Sequence, residues 1–272
     1  MDEQGIAFIG GGNMAGAIIT GMLAQGYPAG QLQVVEPLAE TRARLQSQFG
    51  IVAQAQAGPL LREAGVVVWA VKPQSFRDAA RQAGPHTGAA LHLSVAAGIP
   101  SASIARWLGT QRVVRAMPNT PALIGRGITA FYARAAVSAS DRQRVEQVIR
   151  STGDWLWVDA EDQLDAVTAL SGSGPAYVYY FIEAMTAAGT EMGLSSAQAR
   201  QLAVATFIGA AELARASDEP VEVLRERVTS KGGTTFAAIS ALEEDGVKPR
   251  FKRALHAAQL RAQELGREFG AD

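Results

Sequence analysis

Gly5-Ile6-Ala7-Phe8-Ile9-Gly10-Gly11-Gly12-Asn13-Met14-Ala15 joins a short apolar run to a glycine turn and to an alanine- and isoleucine-rich helical pattern that continues through Gln25. Strand, glycine turn and helix in this order begin a βαβ unit, and Gly10, Gly12 and Ala15 occupy the positions of a G-x-G-x-x-G/A dinucleotide fingerprint. Gly10 serves the tight turn, Gly12 the close approach of a pyrophosphate, and Ala15 the contact of helix with strand. Gly11, Asn13 and Met14 complete the loop that opens the helix, where free backbone N–H groups favour an anion. Glycine turns are common, so the weight comes from context. Leu32-Gln33-Val34-Val35-Glu36 reads as a second strand ending in an acid about 20 residues beyond the motif, the place of a ribose-binding carboxylate. Glu36 favours a free 2′-hydroxyl and hence NADH. Arg42 and Arg44, on the helical pattern that follows, reach the 2′-phosphate of NADPH if that carboxylate turns aside, or else line a solvated face; both cofactors stay open.

Outward from this unit, the strand patterns repeat. Val66-Val67-Val68-Trp69-Ala70-Val71 ends at Lys72-Pro73, where proline stops the strand. In a parallel sheet this puts Val71, Lys72 and Pro73 at the carboxyl edge, where ligands of open α/β sheets bind. Ala89 to Val95 runs into Ala96-Ala97-Gly98, small residues that let a flat ring approach the backbone. Arg112 to Met117 ends in Met117-Pro118-Asn119-Thr120-Pro121, a rigid turn that presents Asn119 at the same edge. Gly127 to Ala133 and Trp155 to Asp159 are two further strands, around a helix from Ser140 to Ser151. Residues 1–160 are therefore expected to form a Rossmann-like, doubly wound parallel sheet of the α/β class that binds a dinucleotide.

From Leu164 onward the patterns are helical, which predicts an all-helical second domain over residues 161–272. The stretch from Tyr177 to Met192 is apolar nearly all round, with Glu183 and Glu191 as its only charges. Such a helix must be covered on every side, so we expect an intertwined homodimer. Near the end, Ser230-Lys231-Gly232-Gly233-Thr234-Thr235 precedes a helical run from Phe236 to Leu242. Two glycines and a helix start make a place to hold an anion.

The 272 residues are 48% apolar and 19% charged, with a net charge of −1, as expected of a globular protein with substantial cores. The balanced charge leaves no footprint for nucleic acid. With no cysteine and three scattered histidines, thiolate chemistry is excluded and a metal cluster is not expected. Met1 to Gln4 carry no basic leader, and no apolar run of about 18 residues occurs, so we expect a cytoplasmic protein with no membrane partner.

Ala70-Val71-Lys72-Pro73, Met117-Pro118-Asn119-Thr120-Pro121, Leu170-Ser171-Gly172-Ser173-Gly174-Pro175-Ala176-Tyr177 and the Thr229 to Thr235 loop together resemble the pyrroline-5-carboxylate reductase family over almost the whole chain. The resemblance implies reduction of the cyclic imine of 1-pyrroline-5-carboxylate to proline by NADPH or NADH. It further implies a homodimer, with dimers that assemble into rings such as a decamer, and sites built from the cofactor domain of one subunit and the helical domain of its partner. By position, Ser230, Gly232, Gly233 and Thr234 match the family's carboxylate site and Thr235 the hydroxyl that meets the ring nitrogen. Lys72 lends positive potential near the nicotinamide or its ribose. Lys231 departs from the family, whose members carry proline there. Ser171 and Ser173 have no histidine or acid at fixed spacing, so Gly172 to Pro175 is read as a bend between helical stretches. β-Hydroxyacid dehydrogenases are similar in their opening and helical second half but carry a catalytic lysine in that half's first long helix, and Asp165 to Leu194 contains none. A nucleotide-binding regulator without turnover would not need the Gly-Gly-Thr-Thr loop.

Overall fold

In the computed structural model, which describes residues 5–271, the first strand β1 (Gly5–Ile9) turns Ile6 and Phe8 to one face of a sheet and Ala7 and Ile9 to the other, all of them buried. Side chains alternate along a strand, so one that is covered on both faces reads as an unbroken apolar run. The same alternation divides β3 (Ala64–Trp69), with Val66 and Val68 on the Phe8 face and Val67 and Trp69 on the other. The reading of Met1 to Gln4 falls outside the described residues.

These strands join β2 (Leu32–Val35), β4 (Leu91–Ser94), β5 (Val113–Met117), β6 (Gly127–Ala133) and β7 (Gly153–Trp157) in one sheet of order β2-β1-β3-β4-β5-β6-β7. Phe8 lies between Val34 of β2 and Val68 of β3. The first five strands in this order are parallel, β6 is antiparallel to β5, and β7 is parallel to β6. The sheet is thus mostly parallel, as the α/β reading requires, with one reversal. Residues 118–126 connect β5 to β6, short of the roughly dozen residues that a parallel crossover needs.

Helices cover both faces. α1 (Asn13–Ala24) and α2 (Ala39–Phe49) bury Ile18, Ile19 and Leu45 on the Phe8 face, while α3 (Pro73–Ala83) and α4 (Ser101–Leu108) bury Phe76 and Ile104 against Trp69's side. Burying one side chain of this size contributes ~1.5–3 kcal/mol. α5 (Ala139–Ile149), which spans β6 to β7, adds Val145 and Ile149 to the first face. It starts at Ala139, one residue before the start expected at Ser140, because Ser138 and Asp141 form a capping box there. The order of the first strands puts the topological switch between β1 and β3, whose carboxyl ends flank the crevice where such sheets bind ligands.

α6 (Gln163–Val167) passes into a π-helical turn at Thr168–Gly172, and α7 (Gly174–Glu191) follows Ser173. The chain divides into two compact units, one ending at Ser173 and regaining Ala258 onward, the other comprising Gly174–Ala257. Packing thus divides the chain later than the change of sequence character at residue 160. Leu164 and Ala169 are buried in the first unit, and Glu161 pairs with Arg115 at 2.7 Å. The second unit holds α7, α8 (Ser196–Arg215), α9 (Val221–Arg227), α10 (Thr234–Glu244) and the start of α11 (Val247–Gly270). The end of α11 belongs to the first unit, where Phe269 packs on the core and Gly270 O accepts the Ser103 hydroxyl at 2.8 Å. Within the second unit a Cβ on Gly189 would lie 2.9 Å from Ala199 Cβ, so α7 and α8 meet at small residues. Tyr177 and Phe181 each set an edge toward Phe251, with centroids 5.7 Å apart. Among the described residues no helix is long and apolar enough to cross a membrane.

Candidate active site

The fingerprint loop is built as its glycines require. Gly10 has φ of 97°, a region that side chains rarely adopt, and a Cβ there would lie 2.6 Å from Ala70 O. Gly10 N–H donates to Val35 O at 2.8 Å, which ties the turn to β2. Gly12 is the N-cap of α1, with no side-chain cap, so the N–H groups of Asn13, Met14 and Ala15 lie ahead of the helix without intrahelical acceptors. A Cβ on Gly12 would meet nothing within 4 Å. Gly12 and Asn13 are exposed, Met14 is half-buried and Ala15 is fully buried against the strand. Open space, free donors and the positive end of a helix dipole fit a pyrophosphate, and the chain's residues here suit a dinucleotide.

Gly11 and Glu36 behave differently. Both are buried, and Gly11 N–H donates to Glu36 Oε2 at 2.8 Å while Leu38 N–H donates to Oε1 at 2.9 Å. The loops after β3, β4 and β5 gather at the same edge. Val71 is half-buried, Lys72 is exposed at the N-cap of α3, and Pro73 begins that helix. Ala96 N–H donates to Ser94 Oγ at 3.3 Å, Ala97 is half-buried, and Gly98 has φ of 73°. A Cβ on Gly98 would lie 3.2 Å from Leu265 Cβ, so its small size serves the seating of α11. Asn119 braces the framework with both ends of its amide. Its Oδ1 accepts Ile128 N–H at 3.0 Å and its Nδ2 donates to Ser171 O at 3.2 Å. Gly172 is equally confined, since a Cβ there would lie 2.4 Å from Met117 Cε. Ser171 Oγ donates to Val167 O at 3.1 Å, so the serine-glycine segment is a helix junction, as its lack of an activating partner suggested.

In the second unit the loop Thr229 to Gly233 turns through Gly232, with φ of 77°, and closes where Gly233 N–H donates to Ser230 O at 3.0 Å. Gly233 is the N-cap of α10 and no side chain caps the helix. α10 starts at Thr234, two residues before the start expected at Phe236, because glycine supplies the extended cap and the first turn accepts β-branched residues. The first-turn N–H groups therefore belong to Thr234, Thr235 and Phe236. Among the described residues the hydroxyls of Ser230, Thr234 and Thr235 have no hydrogen-bond partner, whereas Thr229 Oγ1 is spent on Arg225 O at 2.6 Å. Lys231 is exposed. The result is an anion nest with unused hydroxyls beside it.

Sequence reasoning missed the supports of the β4 loop. Glu161 accepts Ser101 N–H and the Ser101 hydroxyl, each at 2.6 Å, and so caps α4 from 60 positions away. Burial pushes the Glu161 carboxyl up, but the Ser101 and Arg115 hydrogen bonds outweigh it and hold the group below its usual range. Nothing local in the sequence links these residues. His92, at 1% exposure, accepts Trp69 Nε1–H at 3.0 Å on Nδ1, and burial, with the Arg112 charge, lowers it to about 4. No group of three metal-ligating side chains occurs among the described residues.

Residues 161–265 match the family model for pyrroline-5-carboxylate reductase dimerisation, and residues 5–98 match that of NADP oxidoreductase, coenzyme F420-dependent. The chain is 45% identical to the pyrroline-5-carboxylate reductase of Pseudomonas aeruginosa, over 99% of this chain and 100% of that protein. Among solved structures, a pyrroline-5-carboxylate reductase from Coxiella burnetii superposes with a TM-score of 0.89 at 36% identity, covering 97% of this chain and 99% of the other. The Plasmodium falciparum pyrroline carboxylate reductase with NADP bound gives 0.87 at 28% identity, covering 98% and 99%.

Proposed function

The chain belongs to the pyrroline-5-carboxylate reductase family, and on that footing we propose that it reduces 1-pyrroline-5-carboxylate to proline in the cytoplasm, as a homodimer and with NADPH as hydride source. The observation that carries this reading is the uncapped start of α10, with three free N–H groups and, among the described residues, the unpartnered hydroxyls of Ser230, Thr234 and Thr235. A carboxylate seated on those N–H groups gains charge-assisted hydrogen bonds and the helix dipole. Ser230 and Thr234 add donors, and Gly232 and Gly233 let the ligand come close to the backbone.

Reduction of a cyclic imine needs a hydride at the ring carbon, a proton on the nitrogen and a clamp that fixes the ring. The reduced nicotinamide supplies the hydride when bound. The chain supplies position: Gly12 and the α1 start hold the pyrophosphate, Val71, Lys72, Pro73, Ala96 and Ala97 line the edge beside the dinucleotide, and Lys72 adds positive potential. Gly98 and Asn119 support that edge through the packing and hydrogen bonds of their loops. Thr235 orients the imine nitrogen. A second copy offers its α10 loop to the cofactor edge of the first, and dimers assemble further into a ring such as a decamer. Holding two reactants in register accounts for most of the rate in such a reaction, which needs no strong acid or nucleophile.

The test follows consumption of NADPH or NADH with pyrroline-5-carboxylate. The wild type is expected to form proline. Thr235→Ala is expected to lose roughly 10- to 100-fold in kcat/KM, the ~1.5–3 kcal/mol of one hydrogen bond to a charged group. No turnover with either cofactor would overturn the assignment, and full activity in Thr235→Ala would overturn the role of that hydroxyl.

A further inference from the structure

Glu36 stands just past the end of β2, where a dinucleotide fold places its ribose-binding acid, yet its side chain turns inward. Both carboxylate oxygens are engaged by backbone amides, those of Gly11 at 2.8 Å and Leu38 at 2.9 Å, and the residue is 7% exposed. Gly11 permits this arrangement, because a Cβ there would lie 3.4 Å from Glu36 Cβ and 2.7 Å from Leu45 Cδ1. Two guanidinium groups frame the same turn. Arg42 Nη1 donates to Glu36 O at 2.9 Å and Pro37 O at 2.7 Å, and Arg44 Nη2 donates to Gly11 O at 3.0 Å.

We propose that Glu36 is a positioning residue that fixes the glycine loop, and that Arg42 and Arg44 read the adenosine end of the cofactor by binding a 2′-phosphate. The proposal rests on the reductase reading and deepens it. Swinging the carboxylate out to a 2′-hydroxyl would break two hydrogen bonds from backbone amides to a charged group and strip the Gly11 N–H of the acceptor it has here. A ribose hydroxyl offers a single donor in return. The arginines lose nothing by binding a phosphate. Each guanidinium has five donors, of which Arg42 uses one nitrogen and Arg44 another on the backbone, so the remaining N–H groups are available in a fork suited to phosphate. Those backbone bonds also hold the forks in place, which reduces the ordering cost of binding.

Calorimetric titration of NADPH and NADH into the full-length protein tests this in wild type, Glu36→Gln and the double variant Arg42→Ala/Arg44→Ala. The wild type is expected to bind NADPH at least about tenfold more tightly, a difference of ~1.4 kcal/mol. Glu36→Gln puts an N–H₂ group against one of the two amides, so both nucleotides are expected to weaken by a common factor at unchanged stoichiometry, with the NADPH to NADH ratio kept. The arginine variant is expected to lose the preference by weakening NADPH alone. A selective loss of NADH affinity in Glu36→Gln would make Glu36 a ribose ligand and overturn the proposal, as would an intact preference in the arginine variant. If Glu36→Gln does not fold, wild-type titration with ADP-ribose and its 2′-phosphorylated form decides alone, and equal affinity overturns the proposal. Failure of the wild type to bind either nucleotide would instead sink the reductase reading on which it rests.

Discussion

Gly10 and Gly12 lie two residues apart in one loop and answer to different constraints. At Gly10 the backbone has φ of 97° and a Cβ would run into Ala70 O, which belongs to the main chain and has no rotamer to change. Gly10→Ala is expected to cost ~1–3 kcal/mol from conformation alone, and more from the contact. At Gly12 φ is −70° and a Cβ meets no atom of the described residues within 4 Å. Gly12→Ala is therefore expected to shift unfolding by less than ~1 kcal/mol while weakening NADPH binding at least about tenfold, because its methyl fills the space the pyrophosphate needs. Thermal unfolding alongside nucleotide titration separates the two. A Gly12→Ala protein that binds NADPH like wild type would refute the placement of the phosphates. The fingerprint was legible in the sequence to this depth, since each glycine's duty is a backbone property. The direction of Glu36 was not, because an acid at a strand end has the same letter whether it faces the ligand or the loop beneath it. Asn119 is similar: sequence marks a rigid turn between prolines, but only the fold shows its amide bracing Ile128 and Ser171.

At the level of elements, β3 and β4 carry a buried titratable group in their shared core. Trp69 donates to His92, whose burial, with Arg112 nearby, lowers it from 6.5 to about 4. The folded state holds His92 neutral where the unfolded chain binds a proton, so the unfolded state takes up more protons between pH 6.5 and 4 and stability rises with pH there. Full stability is present above pH 6.5, and as pH falls to about 4 the loss grows to ~3 kcal/mol. Glu161 and Asp141, both held below their usual values of 4.5 and 3.8, add loss in the same direction only in more acid solution. Urea unfolding at fixed protein concentration, followed by tryptophan fluorescence, is expected to show a midpoint that falls steadily from pH 7 to 4.5. His92→Leu is expected to be less stable at pH 7, since Trp69 loses its acceptor, and nearly flat across that range; an equal slope in both proteins would rule out His92 as the source. All seven strands were legible as apolar runs, but the reversal at β6 was not, because a period-two pattern has no direction. Only the short connection from Met117 to Gly127 hints at it. α10 starts two residues earlier than its apolar run suggests for a related reason, since threonine is a weak helix former inside a helix and an ordinary residue in its first turn.

For the whole molecule the decisive feature is what α7 leaves uncovered in a single copy. Tyr179 is 63% exposed and Tyr180 69%, with Val178 and Met185 exposed beside them and Ile208 and Leu213 exposed on α8. Apolar surface on this scale, on helices matching a dimerisation family, is expected to be buried against a second copy. Since these side chains are exposed in a single copy, their burial stabilises the assembly more than the monomer fold. The wild type is accordingly expected to sediment at twice the chain mass or a higher even multiple, and its unfolding temperature to rise with protein concentration, as mass action requires for a coupled dimer. Tyr180→Glu introduces a charge that a buried interface cannot solvate but an exposed helix face can. It is expected to give a monomer with unchanged helical circular dichroism, a concentration-independent unfolding temperature and little reductase activity, because the α10 loop then lacks a second cofactor edge to serve. A wild-type protein that sediments as a monomer at micromolar concentration would contradict both the buried α7 and the two-copy site. A fully active Tyr180→Glu monomer would leave the interface in place and remove the need for a second copy in catalysis.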